Sequence, residues 1–174
     1  MALGAKMVPF AGYDMPVQYA DGIITEHQHT RAQASLFDVS HMGQLRLRGS
    51  DAAGALEALV PGELRALHPG EMRYTLLTND SGGILDDLIV TNAGDHLFVV
   101  VNAGCKIADT AHLRAKLPDR IMIEPLFERA LLALQGPAAA EVLARLAPAS
   151  AALKFMSAAA MEVAGLACFV TRSG

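Results

Sequence analysis

The sequence predicts an α+β fold built mainly from antiparallel sheets with flanking helices. Three observations carry this. Strand-like runs between Tyr74 and Val101 follow one another through short turns rich in Asn, Asp and Gly, the pattern of an antiparallel meander. Helical and extended stretches are mixed without the regular strand–helix–strand spacing of a parallel sheet. Finally, 174 residues, 52% hydrophobic and only 18% charged, supply ample material for a core, since a chain of this size hides roughly 70% of its unfolded surface. Global disorder is excluded.

The elements follow in order. From Asp21 to Leu36, polar and apolar residues interleave with no proline and no glycine after Gly22, which predicts a helix with Asp21 at its N-cap. Phe37 to Gly43 breaks that pattern. Gln44 to Arg48 alternates with period two, the mark of a strand with one wet face. Ser50 and Asp51 then open a helix through Val60: Ser50 offers an acceptor for a free first-turn N–H, and Asp51 suits the positive helix end. Pro61 to Gly70 reads as loop. Tyr74 to Thr78 leads into a turn at Asn79 to Gly83, out into Ile84 to Val90, through Asn92 to Asp95, and into Leu97 to Val101. Lys106 to Leu117 predicts a helix, and Ile121 to Phe127 and Arg129 to Leu134 predict strands. Pro137 to Leu146 reads as a helix with proline at its permitted first position. A hairpin from Met161 to Val163, turning at Ala164-Gly165 into Cys168 to Thr171, closes the chain. The alanine-rich stretches 149–152 and 158–160 favour helix or tight packing.

Composition removes several function classes. Mean hydropathy is high at +0.31, but the longest apolar runs, such as Leu97 to Val101 and Ala130 to Leu134, are strand-sized and far below the ~20 residues of a membrane span. Neither a membrane nor a nucleic-acid partner is expected. The 14 basic and 18 acidic residues sum to −4 with no block of like charge to track a phosphate backbone. Cys105 and Cys168 are too few for a disulfide framework or a zinc site, and no metal is expected. Met1 to Phe10 holds one lysine and no sustained apolar segment, which points to a reducing compartment.

The local anomaly is Asp86-Asp87 inside an otherwise apolar strand, because Asp is disfavoured there and costly to bury unpartnered. Alternation puts the two side chains on opposite faces. One meets solvent or a turn, and the other meets a core or cavity, where a carboxylate serves as general base, hydrogen-bond acceptor or cation stabiliser. The bland alternative is a hydrated bend near the sheet edge. Asp38, Ser40 and His41 invite a triad reading, but sequence neighbours rarely face one another correctly, and turn or capping roles fit them better. Asn102 ends a buried-looking strand, where its amide either holds a ligand or N-caps the next helix. Gln135-Gly136-Pro137 leads to a helix N-terminus but lacks the multiple glycines of a phosphate loop. The cysteines read as inert core thiols.

Taken in order, the segments Gly4 to Gly12, Phe37 to Gly43, Asn79 to Leu88, Val100 to Ala103, Ala133 to Pro137 and Val170 to Arg172 resemble the N-terminal portion of the glycine cleavage system T-protein, the aminomethyltransferase family. The likeness spans essentially the whole chain. It implies a folate-binding aminomethyltransferase-type fold, with the family's C-terminal β-rich domain absent from these residues. It also implies a reaction in which an aminomethyl group on the lipoyl arm of the H-protein gives its methylene to tetrahydrofolate and ammonia leaves. By resemblance, Asp87 matches the essential carboxylate, and Met42, Tyr74, Val100 and Asn102 match positions lining the folate pocket. Asn102 would recognise the pterin edge, and Met42 and Tyr74 would pack on its faces. His41 is left structural. Tyr13 stands where the family usually has Trp.

The expected partners are therefore tetrahydrofolate and the lipoylated H-protein, in the cytoplasm, or in the mitochondrial matrix of a eukaryote. Two subdomains are expected, about 1–50 with 120–174, and about 51–119. Because the family continues past Arg172 with a Gly-Tyr-Thr-Gly-Glu-Asp-Gly segment, the chain is expected to be an N-terminal fragment, inactive or nearly so alone. Apolar surface would then be exposed or covered by self-association. The competing readings are the folate domain of a sarcosine or dimethylglycine dehydrogenase, a folate-binding accessory protein of iron–sulfur maintenance, and a non-catalytic fragment.

Overall fold

A computed structural model describes residues 3–174. The elements run β1 (Lys6–Phe10), β2 (Tyr13–Gln18), α1 (Ile23–Ala32), β3 (Ser35–Asp38), β4 (Gly43–Arg48), α2 (Ala52–Glu57), β5 (Met72–Thr78), β6 (Ile84–Asn92), β7 (Leu97–Val101), α3 (Lys106–Lys116), β8 (Met122–Pro125), β9 (Leu132–Gln135), α4 (Ala139–Leu146), a 3-10 turn (Pro148–Ala152), β10 (Ser157–Val163) and β11 (Leu166–Arg172). The expected meander forms β5, β6 and β7. These join β4 and β8 in a five-stranded antiparallel sheet of order β5-β6-β7-β4-β8. Three two-stranded sheets, β1-β2, β3-β9 and β10-β11, surround it.

One face of the large sheet makes the core. Leu45, Leu47, Leu88, Val90, Val99 and Val101 alternate onto it and are at most 2% exposed. They pack against Leu56 of α2, Val60, Leu64 and Leu67 of the following loop, and Leu113 of α3. Each such side chain contributes roughly 1.5–3 kcal/mol by leaving water. The other face is covered at one end by the β10-β11 hairpin and along β4 by the segment at Arg129, whose carbonyl accepts from the buried Gln44 Nε2 at 2.9 Å. At the hairpin, Phe169 meets Phe98 edge to face at 5.4 Å, and the Ala158 N–H donates to the Gly70 carbonyl at 2.7 Å. Beyond that cover the face is open.

Several element boundaries differ from the sequence reading. α1 ends at Ala32, because Ser35–Asp38 leaves the helix to pair with β9 in register Ser35↔Gln135 to Asp38↔Leu132. Its cap is Gly22 and not Asp21, with no side-chain hydrogen bond. α2 is capped by Asp51, whose carboxylate accepts the Gly54 N–H at 3.2 Å and an Arg65 N–H at 2.6 Å. Ser50 instead offers its backbone carbonyl to Arg120. α2 stops at Glu57, short of Val60. α4 starts at Ala139, after Pro137, because the Ala138 N–H is given to Gln33 O at 3.0 Å. Gly136 makes this junction possible: at φ +120°, a Cβ there would lie 2.3 Å from the Gln33 carbonyl. Ala158–Ala160 lies in β10 and not in a helix, with Ala158 buried. The β1-β2 hairpin had no counterpart in the sequence reading, since Pro9 and Pro16 interrupt its strand pattern.

The high apolar fraction has a second source besides the core. Leu36, Leu132, Ile84, Phe155 and Leu166 are each more than half exposed.

Candidate functional site

The site is built by strand register. Tyr74 pairs with Ile89, Ile89 with Val100, and Val100 with Gln44, so these four side chains line up across one face, open at Tyr74 and closed at the buried Gln44. Two residues from Ile89 along β6, Asp87 shares that face by strand periodicity. Tyr74 is 57% exposed, while Asp87, Val100 and Asn102 are half-buried. Met42 sits in the turn that precedes β4, its N–H on Val39 O at 3.0 Å. The structure thus brings Tyr74, Asp87 and Val100 to one wall, with Asn102 at the end of β7 and Met42 at the start of β4.

Asp86 and Asp87 point to opposite faces, as strand alternation requires. Asp86 goes inward and is 8% exposed. Asn102 joins the two: its Nδ2 donates to Asp86 Oδ1 at 2.9 Å and to Asp87 Oδ1 at 3.0 Å, with the Asp87 carbonyl at 3.1 Å. Its backbone N–H donates to Asp86 Oδ2 at 3.0 Å. The reading of Asn102 as an N-cap is therefore not realised; the cap of α3 is Cys105. Beneath the sheet, the Asp109 carboxyl of α3 lies beside Asp86 and is 3% exposed.

Burial, and then the hydrogen bond and charge of Asp86, push the Asp109 carboxyl up to about 7. Burial also acts to raise Asp86, but the hydrogen bonds from Asn102 and Asp109 outweigh it and hold that carboxyl below its ordinary value. The Tyr74 phenol is raised by desolvation, then by the charge of Asp87 and a hydrogen bond to it. Burial and the neighbouring Asp86 and Asp109 raise the Cys105 thiol, which keeps it protonated and poorly nucleophilic. Among the described residues no group of three or more His, Cys, Asp or Glu is arranged to hold a metal ion.

The triad reading of Asp38, Ser40 and His41 is not formed. The Asp38 carboxylate accepts the Ser40 N–H at 3.0 Å, Ser40 Oγ accepts the Leu131 N–H at 3.0 Å, and the His41 ring packs on Phe10 and Tyr13. Gln135-Gly136-Pro137 is occupied by the junction with α1. Sequence reasoning missed Asp109 and Lys106. Lys106 is 7% exposed, and its ammonium donates to Tyr13 OH at 2.6 Å and His41 O at 3.0 Å. Both residues were detectable in principle, because the buried stripe of α3 runs Lys106, Asp109, Thr110, Leu113 at helical spacing.

A cleft of about 630 Å³ adjoins the wall at Tyr74 and Ile89 and is completed by Met72, Phe155 and Met156. An antiparallel sheet with one face packed and the other carrying a carboxylate, an amide and a phenol beside aliphatic side chains defines a class: an α+β domain that leaves part of its sheet uncovered. The chain belongs to the GCVT N-terminal domain family, whose model matches residues 1–174.

Its relatives agree. It is 48% identical over 182 residues to the mitochondrial aminomethyltransferase of Homo sapiens, covering 100% of this chain and 45% of that protein. It is 43% identical over 182 residues to the mitochondrial aminomethyltransferase of Dictyostelium discoideum, covering 99% and 45%. An aminomethyltransferase of Prochlorococcus marinus is 48% identical over 157 residues, 86% of this chain and 42% of that one. The crystal structure of glycine cleavage system aminomethyltransferase T from Bartonella henselae superposes with a TM-score of 0.82 at 42% identity, covering 90% of this chain and 44% of that one. A heterotetrameric sarcosine oxidase from Corynebacterium sp. U-96, at 21% identity and a TM-score of 0.58, shares the fold. The chain thus spans about 45% of the length of the eukaryotic aminomethyltransferases it matches.

Proposed function

We propose that these residues form the tetrahydrofolate-facing wall of an aminomethyltransferase. The reaction takes the methylene from an aminomethyl group carried as a thioether on the lipoyl arm of the H-protein. The carbon–sulfur bond breaks, the methylene joins the two folate amine nitrogens, ammonia leaves, and the dihydrolipoyl thiol is regained. The observation that supports this reading best is the Asp87 carboxylate on the open face, held by the Asn102 amide at 3.0 Å beside the Tyr74 phenol. A carboxylate so placed orients the folate amines and stabilises cationic character as the carbon–sulfur bond opens. Val100 and Tyr74 give flat apolar contact, Met42 closes the end near β4, and the Asn102 amide adds polar recognition at the ring edge.

The compartment we infer is the mitochondrial matrix for a eukaryotic source and the cytoplasm for a bacterial one, as the names of the relatives suggest. We also read the chain as two interleaved subdomains. The three small sheets come from residues 1–50 and 120–174, while β5, β6 and β7 come from 51–119 and take in β4 and β8 by hydrogen bonding. Isothermal titration with tetrahydrofolate tests the site. Binding that weakens in both Asp87→Asn and Tyr74→Ala supports it, whereas equal binding by wild type and Asp87→Asn removes Asp87 from the role.

A further inference from the structure

Two carboxyl groups, Asp86 and Asp87, meet a single side-chain amide, that of Asn102, and a third, Asp109, lies against Asp86. None of the ion pairs formed by the described residues involves any of them. Mutual repulsion of that kind is relieved by a retained proton or by N–H donors. Here both are present. Asn102 supplies two donors to Asp86, one from Nδ2 and one from the backbone, in a bidentate clamp at 2.9 and 3.0 Å. Asp109 is the place for the proton: it lies against Asp86, and its buried Oδ2 accepts no N–H or O–H donor from the described residues.

The clamp has a geometric consequence. An ionised Asp86 accepts and cannot donate, so the Asn102 amide must turn its NH2 end, and not its carbonyl, towards the carboxylates. With one N–H on Asp86 Oδ1, the other falls on Asp87 Oδ1 at 3.0 Å. We propose that Asp86, partnered by Asp109 on the covered side of the sheet, is a positioning residue that locks the Asn102 amide and thereby the Asp87 carboxylate on the open side. This rests on the reading of Asp87 and Asn102 as the ligand-facing pair, but the lock itself is a property of the unliganded chain. In Asp86→Asn the single side-chain oxygen serves only one of the two Asn102 donors, and the amide loses part of its clamp, keeping the acceptors of Asp87. In Asp109→Asn the new NH2 supplies the same donor to Asp86, and the lock persists.

The test is hydrogen exchange of the Asn102 side-chain amide by NMR on the labelled chain, with exposed Asn79 as internal reference. Wild type and Asp109→Asn are expected to protect it, and Asp86→Asn to release it by about tenfold, the worth of one hydrogen bond to a charged group. The backbone amides of β6 and β7 stay protected in all three if the fold is kept. A folded Asp86→Asn with unchanged Asn102 protection overturns the proposal, as does loss of protection in Asp109→Asn.

If Asp86→Asn does not fold, carboxyl-carbon titration of the wild type decides. The groups facing Asp109 are Asp86 from β6 and Cys105 at the cap of its own helix. An ionised Asp86 beside a protonated Asp109 at neutral pH supports the lock, and a protonated Asp86 overturns it. Calorimetry with tetrahydrofolate separates the two readings. If wild type binds no tetrahydrofolate while Asn102 is protected, the folate reading fails and the lock stands. If wild type binds and Asp86→Asn binds equally well, the lock has no bearing on the site and its positioning role is lost.

Discussion

At the scale of the residue, Asp87 and Asp86 differ by one position and by almost everything else. Asp87 stands half-buried on an open wall and accepts one amide N–H, while Asp86 is buried and takes two N–H donors and a carboxyl partner. Substitutions should separate them. Asp87→Asn is expected to leave the melting midpoint in place, because the amide still fits a half-exposed position, while weakening tetrahydrofolate binding about tenfold. Calorimetry and a thermal melt check both halves. In a complete aminomethyltransferase carrying these residues, the same change is expected to abolish methylene transfer from the lipoylated H-protein. Alternation along β6 already announced in the sequence that the two carboxylates face opposite ways. Which one faces out depends on where α3 packs, and nothing local to β6 encodes that.

At the scale of the element, the large sheet and the N-terminal hairpin are held by different forces. The sheet rests on an apolar layer, so Leu88→Ala is expected to cost roughly 2–5 kcal/mol, measured by urea unfolding, through lost burial and the cavity left behind. The β1-β2 hairpin is tethered by polar and aromatic contacts: the Lys106 ammonium on Tyr13 OH and His41 O, 4.5 Å from the Tyr13 ring centre, and the His41 ring between Phe10 and Tyr13. Lys106→Met keeps the apolar stem and removes the donors. It is expected to speed tryptic cleavage at Lys6 with little change in the urea midpoint of the core, and an unchanged cleavage rate would show that the ammonium is not the tether. The meander β5, β6, β7 was legible because Asn79 to Gly83 and Asn92 to Asp95 are strong local turn signals. β3 and β9 were not legible as a pair, since 93 residues lie between the paired Asp38 and Leu132 and no local pattern links them.

At the scale of the whole molecule, the buried carboxyl pair should write itself into the pH dependence of stability. Asp109 holds its proton up to about pH 7 in the folded chain, well above the ordinary aspartate value of about 3.9. Between those values the folded state binds more protons than the unfolded state, so stability falls as pH rises through this window. The chain is therefore expected to be more stable to urea near pH 5 than near pH 8, and Asp109→Asn to flatten that slope. Below the ordinary aspartate range the sign reverses, because Asp38, Asp80, Asp86 and Asp95 are all held low by their partners and lose those interactions on protonation. Urea midpoints of both proteins across pH 5 to 8 check the prediction.

By itself the sequence determined the class of fold, the central meander, the family resemblance and the anomaly at Asp86-Asp87. All of these rest on short-range periodicity, turn chemistry and ordered motifs. Only the tertiary structure decided that β4 and β8 complete the sheet and that Asp87 rather than Asp86 reaches the open face. It also decided that Asn102 bridges the two instead of capping α3, and that Asp109 lies beneath them. The reason is physical: a side chain's partners and its burial are set by which surfaces pack, and α3 brings Asp109 to Asp86 across the sheet from a position no local pattern connects to it.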